Sequence, residues 1–201
     1  MKKIILFGLA FALVSLPAIA GNYKLDAAHS QLGFKIKHLG ISTVPGRFKI
    51  FDGTGSYDEK TGQLTNLKVT ISADSIDTNE PDRDKHLRSP DFFDVAKFPQ
   101  LTFESTQVVN AGNIPQQIKG KFSLHGVTKE ITLDIVDWGG TATDPWSNER
   151  LAFEARTKID RTEYGLTWNK GLKQAAGLLV GNEVTLEIMV EAIKIPEEIK
   201  K

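Results

Sequence analysis

Apolar and polar residues alternate with a period of two in run after run of this chain, and that spacing constrains the fold to β-structure. Leu32, Phe34, Ile36 and His38 share one face while Gln31, Gly33, Lys35 and Lys37 share the other. The same rhythm recurs at Phe48 and Ile50, at Leu67, Val69 and Ile71, and at Leu101 and Phe103. It continues through Ile118, Phe122 and Leu124, then Ile131, Leu133 and Ile135, then Leu151, Phe153 and Ala155, and ends in Val184, Leu186, Ile188 and Val190. Successive side chains on a strand point to opposite faces, so each run is a strand with one buried and one wet face.

There are eight such runs, with turn signals at Asp52-Gly53, Asn110 to Asn113 and Gly139-Gly140. Eight consecutive antiparallel strands without long helices predict an all-β, up-and-down barrel, whose closure removes both exposed edges. A β-sandwich is the alternative; the short turns and the abundance of inward Phe, Leu and Ile favour the barrel. One segment breaks the rhythm. Pro81 to Phe93 starts charged and ends apolar, which predicts a short helical insert from about Pro81 to Arg88, with Leu87, Phe92 and Phe93 packed on the barrel. A second interruption, 160–181, holds a helical turn at Arg161 to Tyr164 and a glycine-rich stretch, 171–181, expected to form a loop over the barrel mouth.

Residues 1–20 read as a cleaved secretory signal: Lys2 and Lys3, an apolar run from Ile4 to Leu16, then Ala18-x-Ala20 before Gly21. The expectation is one barrel domain over 21–201 in the periplasm. The chain has no cysteine, which excludes disulfides, thiolate metal sites and a lipidated thiol. Basic and acidic residues number 25 each, and removing Lys2 and Lys3 leaves a slight acidic excess, so nothing favours nucleic acid.

Chemistry-bearing motifs are sparse. The four histidines, His29, His38, His86 and His125, form no metal-ligand pair of the H-x-H or H-E-x-x-H kind. Asp82 or Asp84 with His86 would supply two ligands on one helix, short of the three or four a zinc site needs. His29-Ser30 are neighbours on an extended segment and point apart, which disfavours a base–nucleophile pair. No nucleophile elbow or phosphate loop occurs. Inward Phe34, Phe48, Phe103, Phe122 and Phe153 fit a solid core and a cavity wall equally well, because periodicity does not distinguish the two.

The block Arg83-Asp84-Lys85-His86-Leu87-Arg88-Ser89 with Phe92-Phe93-Asp94, led by Ser75-Ile76-Asp77-Thr78, resembles the most distinctive stretch of the YceI-like family of secreted lipid-binding barrels. Asp26 to Ser30 with Phe34 and His38 is similar to that family's opening strand, and Gly46-Arg47-Phe48 with Phe51-Asp52-Gly53 to its next hairpin. Phe98-Pro99, Phe103-Glu104-Ser105, Gly120, Leu124, Gly126 to Lys129, Asp144-Pro145-Trp146, Phe153-Glu154-Ala155 and Arg161 to Gly165 follow in the expected order. The resemblance implies a lipocalin-like, antiparallel eight-stranded barrel, a lipid-binding domain over 21–201 whose apolar tunnel holds a polyisoprenoid or similar long-chain amphiphile, in a carrier or storage role tied to isoprenoid quinone metabolism or stress. It carries no catalytic triad, so the expectation is a binding protein, with no cofactor besides the bound lipid. A head-group enzyme centred on His86 and a ligand-free interaction module are the competing readings. The expected tunnel wall is Phe34, Ile36, His38, Phe48, Ile50, Leu67, Val69, Leu87, Phe92, Phe103, Phe122, Leu124, Phe153, Leu186 and Ile188; His86, Arg88 and Arg161 are the expected head-group contacts. Arg88 and Arg161 have a second reading, as partners of nearby acids such as Asp84, Asp91 or Glu163. Transient membrane contact and a homodimer are compatible with the sequence, which singles out no interface.

Overall fold

Breaks in the alternation divide three of the eight staves of this fold into pairs of shorter strands. The computed structural model describes residues 20–169 and 179–196. Strands β1 (Gly21–Leu25) and β2 (Gln31–His38) lie end to end as one staff of a barrel, and β3 (Ser42–Phe48) and β4 (Phe51–Asp58) form the next. The third staff is β5 (Gln63–Ser72), a 3-10 turn (Ala73–Ser75) and β6 (Ile76–Asp77). Long single strands complete the wall: β7 (Gln100–Ala111), β8 (Ile114–Leu124), β9 (Val127–Thr143), β10 (Glu149–Asp160) and β11 (Val180–Lys194). Neighbouring staves pair antiparallel throughout, and β11 closes the ring by pairing with β1 near Ala192 and with β2 from Val180 to Met189. The result is a closed, eight-staved antiparallel barrel, the architecture the alternation predicts.

Each break shifts the side-chain parity. Leu32 and Phe34 on β2 face inward, as do Tyr23 and Leu25 on β1, an even set and an odd set. Gly46 and Phe48 on β3 face inward, whereas Gly53 and Gly55 do so on β4. Lys49 and Ile50 absorb that change at the bend, with Lys49 N donating to Ser75 O and Ser72 N donating to Ile50 O. Ile50 consequently points outward and is 65% exposed, so the expectation that it lines the lumen is corrected.

Two predicted turns are also corrected. Asp52 and Gly53 sit inside β4, opposite Thr70 and Val69 of β5. Gly139 and Gly140 lie within β9 at a bulge, where the register against β10 slips between Ala152 and Phe153. The true hairpins at that end of the barrel are Asp58 to Gln63, Ala111 to Ile114 and Thr143 to Glu149. At the opposite end, His125 and Gly126 both take positive φ in the two-residue β8–β9 turn, the conformation a tight hairpin demands.

The long connection between β6 and β7 is the helical insert. Helix α1 (Pro81–Arg88) matches its predicted span. Glu80 caps it through Asp82 N and Arg83 N, and Pro81 occupies the first turn where no N–H is needed. Phe92 and Phe93 follow and fold back onto the barrel: Phe93 packs edge-on to Phe48 with ring centres 5.8 Å apart. The Arg161–Tyr164 turn is present as a 3-10 turn capped by Asp160, whose carboxylate accepts from Thr162 N. The signal-like segment 1–19 and residues 170–178 of the glycine-rich stretch lie outside the described residues.

Candidate functional site: the barrel lumen

Inward side chains of all eight staves surround a cavity of about 430 Å³ that runs along the barrel axis. That volume falls in the range of about 300–1,000 Å³ typical of small-molecule sites. The wall is hydrocarbon almost throughout. Its closed end is built from Tyr23, Leu64, Ile118, Leu133 and Leu151, all buried and packed on one another. Its middle belt carries Leu67, Val69, Phe103, Phe122, Phe153 and Val190. Toward the helical insert it is bounded by Phe34, Ile36, His38, Phe48, Leu87, Phe92, Leu124, Leu186 and Ile188. Leu186, Ile188 and Val190 face the lumen yet remain half-exposed, which marks them as wall rather than core.

Glycine placement keeps this space open. Phe34 lies opposite Gly46 across the β2–β3 ladder, and a methyl group on Gly46 would overlap the Phe34 ring. Phe103 leans on Gly120 in the same manner, with the Glu104 carbonyl also close. Both rings therefore lie flat over bare backbone instead of projecting into the lumen.

The closed end is tied by polar groups on its outer edge. The Tyr23 hydroxyl donates to the Glu149 carboxylate, which also accepts from Lys194 Nζ at 2.9 and 3.0 Å. Burial, then the Glu149 hydrogen bond and charge, push the Tyr23 hydroxyl well above its ordinary pKa. Burial opposes ionisation of Glu149, but Tyr23 and Lys194 outweigh it and hold that carboxyl below its ordinary value. Nearby, Arg150 is held by Asp144 and Asp26 at 2.9 Å each and by Glu191 at 2.5 Å. Asp26, His29 and Glu191 form the metal-ligand-type cluster found among the described residues. Arg150 already supplies the cation there. Ser30 Oγ bonds the Glu191 backbone while His29 Nδ1 meets Asp26, so the adjacent pair does point apart.

At the open end the helical insert presents Arg83, His86 and Leu87, one face of α1, to the lumen. Arg83 Nε donates to Thr78 Oγ1 and its Nη2 to Thr78 O, each at 2.7 Å. Buried Asp84 accepts from Thr78 N at 2.9 Å and Thr78 Oγ1 at 2.5 Å, which fixes the start of the insert. His86 Nε2 donates to Asp91 at 2.8 Å, and its ring stands edge-on to Phe92 and Trp168 with centres 5.1 and 4.9 Å away. His86 and Asp84 thus engage different partners and do not form the pair a head-group enzyme would use.

The three expected head-group residues fare differently. His86 and Arg161 reach the lumen. Arg88 does not: its guanidinium donates to Asp74 O at 2.7 Å and Ile76 O at 2.8 Å and pairs with Asp74, stapling the insert to the turn before β6. Arg161 is buried, and donates to the carbonyls of Gly181, Leu166, Trp168 and Val180. Glu163 instead pairs with Lys129. Burial lowers the Arg161 pKa, with nearby Asp160 opposing. Of the expected wall, every residue but Ile50 lines the lumen. Tyr23 and Leu25 went unrecognised although they alternate around Lys24; Leu166 and Trp168 carry no local signal, because only the closure of the chain brings them over the mouth.

Residues 23–192 match the YceI-like domain. The chain is 42% identical to Protein YceI of Salmonella arizonae and to that of Salmonella paratyphi B, over 96% of this chain and 99% of each relative. Among solved structures, the Campylobacter jejuni YceI protein is 32% identical with a TM-score of 0.68, covering 86% of this chain and 97% of that one. A polyisoprenoid binding domain from Saccharophagus degradans, implicated in plant cell wall breakdown, shares the fold at a TM-score of 0.60 and 17% identity, over 86% of this chain and 98% of that one. The chain belongs to the YceI-like family.

Proposed function

We propose that this protein is a periplasmic carrier or store that binds one long-chain amphiphile, a polyisoprenoid or acyl lipid, in the barrel lumen. The observation that carries this reading is the chemistry of the cavity: it is lined by hydrocarbon from all eight staves, with a packed floor at one end and the basic side chains of the helical insert at the other. Each methylene removed from water contributes about 0.8 kcal/mol. A tail of about fifteen such groups gives roughly 12 kcal/mol gross, from which association subtracts at least about 4 kcal/mol. Burial of the tail alone therefore supports an affinity of about micromolar at its upper bound. The polyisoprenoid binding domain of Saccharophagus degradans is a precedent for such cargo in this fold; the ligand class proposed for this chain rests on its own lumen.

The role is binding without turnover, since His86, Asp84 and Asp91 are engaged in ways that hold the insert together. The signal-like start, Lys2 to Ala20, supports export to the periplasm. Loading would then occur by transient contact with a membrane.

Organic extraction of the purified protein followed by mass spectrometry tests the reading. A prenyl or acyl amphiphile at near one-to-one stoichiometry is the expected result. Delipidated protein that rebinds no long-chain amphiphile would refute it.

A further inference from the structure

The charged groups of the lumen are distributed unevenly. Among the described lining residues there is no Asp and no Glu, although the chain holds 25 acids. The ionisable groups that line it are Tyr23 at the closed end and Lys37, His38, Arg83, His86 and Arg161 at the open end. These five come from separate parts of the fold and meet at one rim. His38 ends β2 and pairs with Val180; Arg161 grips Val180 O and Trp168 O; and the Trp168 ring packs on His86, on the same helix face as Arg83.

The acids of this end are engaged away from the lumen. Asp84 holds Thr78, Asp91 holds His86 from outside, Asp74 pairs with Arg88, and Asp77 lies near Arg47 and Lys49. Glu163 pairs with Lys129, and Asp160 caps its own turn. A hydrocarbon tube ending in a rim of basic side chains, with no Asp or Glu among its described lining residues, is complementary to one kind of molecule.

We infer that the ligand of this lumen is an anionic amphiphile, a prenyl or acyl chain ending in a phosphate or carboxylate, whose head is held by the Arg83, His86 and Arg161 rim. This rests on the carrier reading and sharpens it. The tail supplies affinity without selectivity, since hydrocarbon chains are chemically alike; the rim supplies the selectivity, because charge-assisted hydrogen bonds discriminate an anion from a neutral head. A neutral alcohol of the same chain forgoes those bonds and should bind about tenfold more weakly or worse.

The experiment compares farnesyl phosphate with farnesol, and hexadecanoate with hexadecanol, on delipidated full-length mature protein by calorimetry or displacement of a fluorescent probe. Arg161 carries four backbone carbonyls, so its replacement would test folding as much as binding. Arg83→Gln on the exposed insert is the cleaner variant, with salt as a second lever on the unaltered protein. Expected is a preference of about tenfold or more for the anion in at least one pair, and that pair names the head as phosphate or carboxylate. The ratio should fall toward one in R83Q, and should shrink when ionic strength rises from about 0.02 M to about 0.5 M. Anion and alcohol binding equally, or a ratio that ignores both R83Q and salt, would overturn the inference while leaving the carrier intact. Failure of all four to bind would overturn the carrier reading itself, and this one with it.

Discussion

The two ends of the barrel are built on opposite plans. At the closed end, hairpins are short, the inward side chains interlock, and Tyr23, Glu149 and Lys194 lace β1 to the β9–β10 hairpin and β11. At the open end a 22-residue connection (78–99) replaces a hairpin, and inward residues such as Phe34, Ile36 and His38 remain half-exposed. The same strands run through both ends, so the difference lies in the connections. It indicates that one end holds the barrel shut while the other is free to specialise in recognition.

That division predicts where a substitution acts. Ile118, 1% exposed on the floor, should cost about 2–5 kcal/mol of stability when replaced by Ala, seen as a lower urea midpoint; a midpoint close to wild type would mean the floor is not a packed core. Gly46→Val should act at the other end. It drives the Phe34 ring into the lumen, lowering ligand affinity about tenfold or more while costing roughly 1–3 kcal/mol in stability. Retained affinity in that variant would show that the upper lumen is not where the tail lies.

Thr78→Val leaves the buried Asp84 carboxylate short of a donor, at a cost of about 1–3 kcal/mol. Hydrogen exchange should show the loss concentrated in the α1 insert, and loosening spread evenly round the barrel would argue against an insert that is stabilised separately. The closed end should in turn be sensitive to acid. Hydrogen bonds from Asn148, Arg150 and Trp146 outweigh burial and hold Asp144 at about 2 against an ordinary 3.8, and Glu149 is also lowered. Both carboxyls bind fewer protons folded than unfolded, so the stability they contribute is complete above their ordinary values and is lost as pH falls toward 2. The urea midpoint should drop on acidification, and drop less in Arg150→Gln; equal drops would remove Arg150 from the account. Smallest of all should be Ile50→Ser. An outward side chain at a strand bend contributes within about 0.5 kcal/mol, and a change in ligand affinity there would restore Ile50 to the wall.

Periodicity made the barrel legible because alternation is a direct consequence of strand geometry, and it persists in all eight staves. It failed where parity changed. Ile50 continues the even pattern of Phe48 on paper, but the bend at Lys49 moves the inward set to odd positions. Gly139-Gly140 reads as a turn because glycine pairs are common in turns, and only the partner strand reveals a bulge. The lumen wall was largely readable, since inward means lining in a barrel this wide. The rim was less so. Arg88 and Arg161 are alike as residues near the mouth, and which one reaches the lumen is decided by carbonyls contributed from Asp74, Ile76, Val180 and Gly181. Such tertiary acceptors leave no mark on the local sequence.

A crystal structure of the protein purified from its native host tests the central claim most directly. The account predicts a continuous thread of electron density between Ile118 and the Phe103 and Phe153 rings, ending at the Arg83–His86 rim. Phe103, Phe122 and Phe153 collapsed onto one another, with no passage left between them, would contradict it.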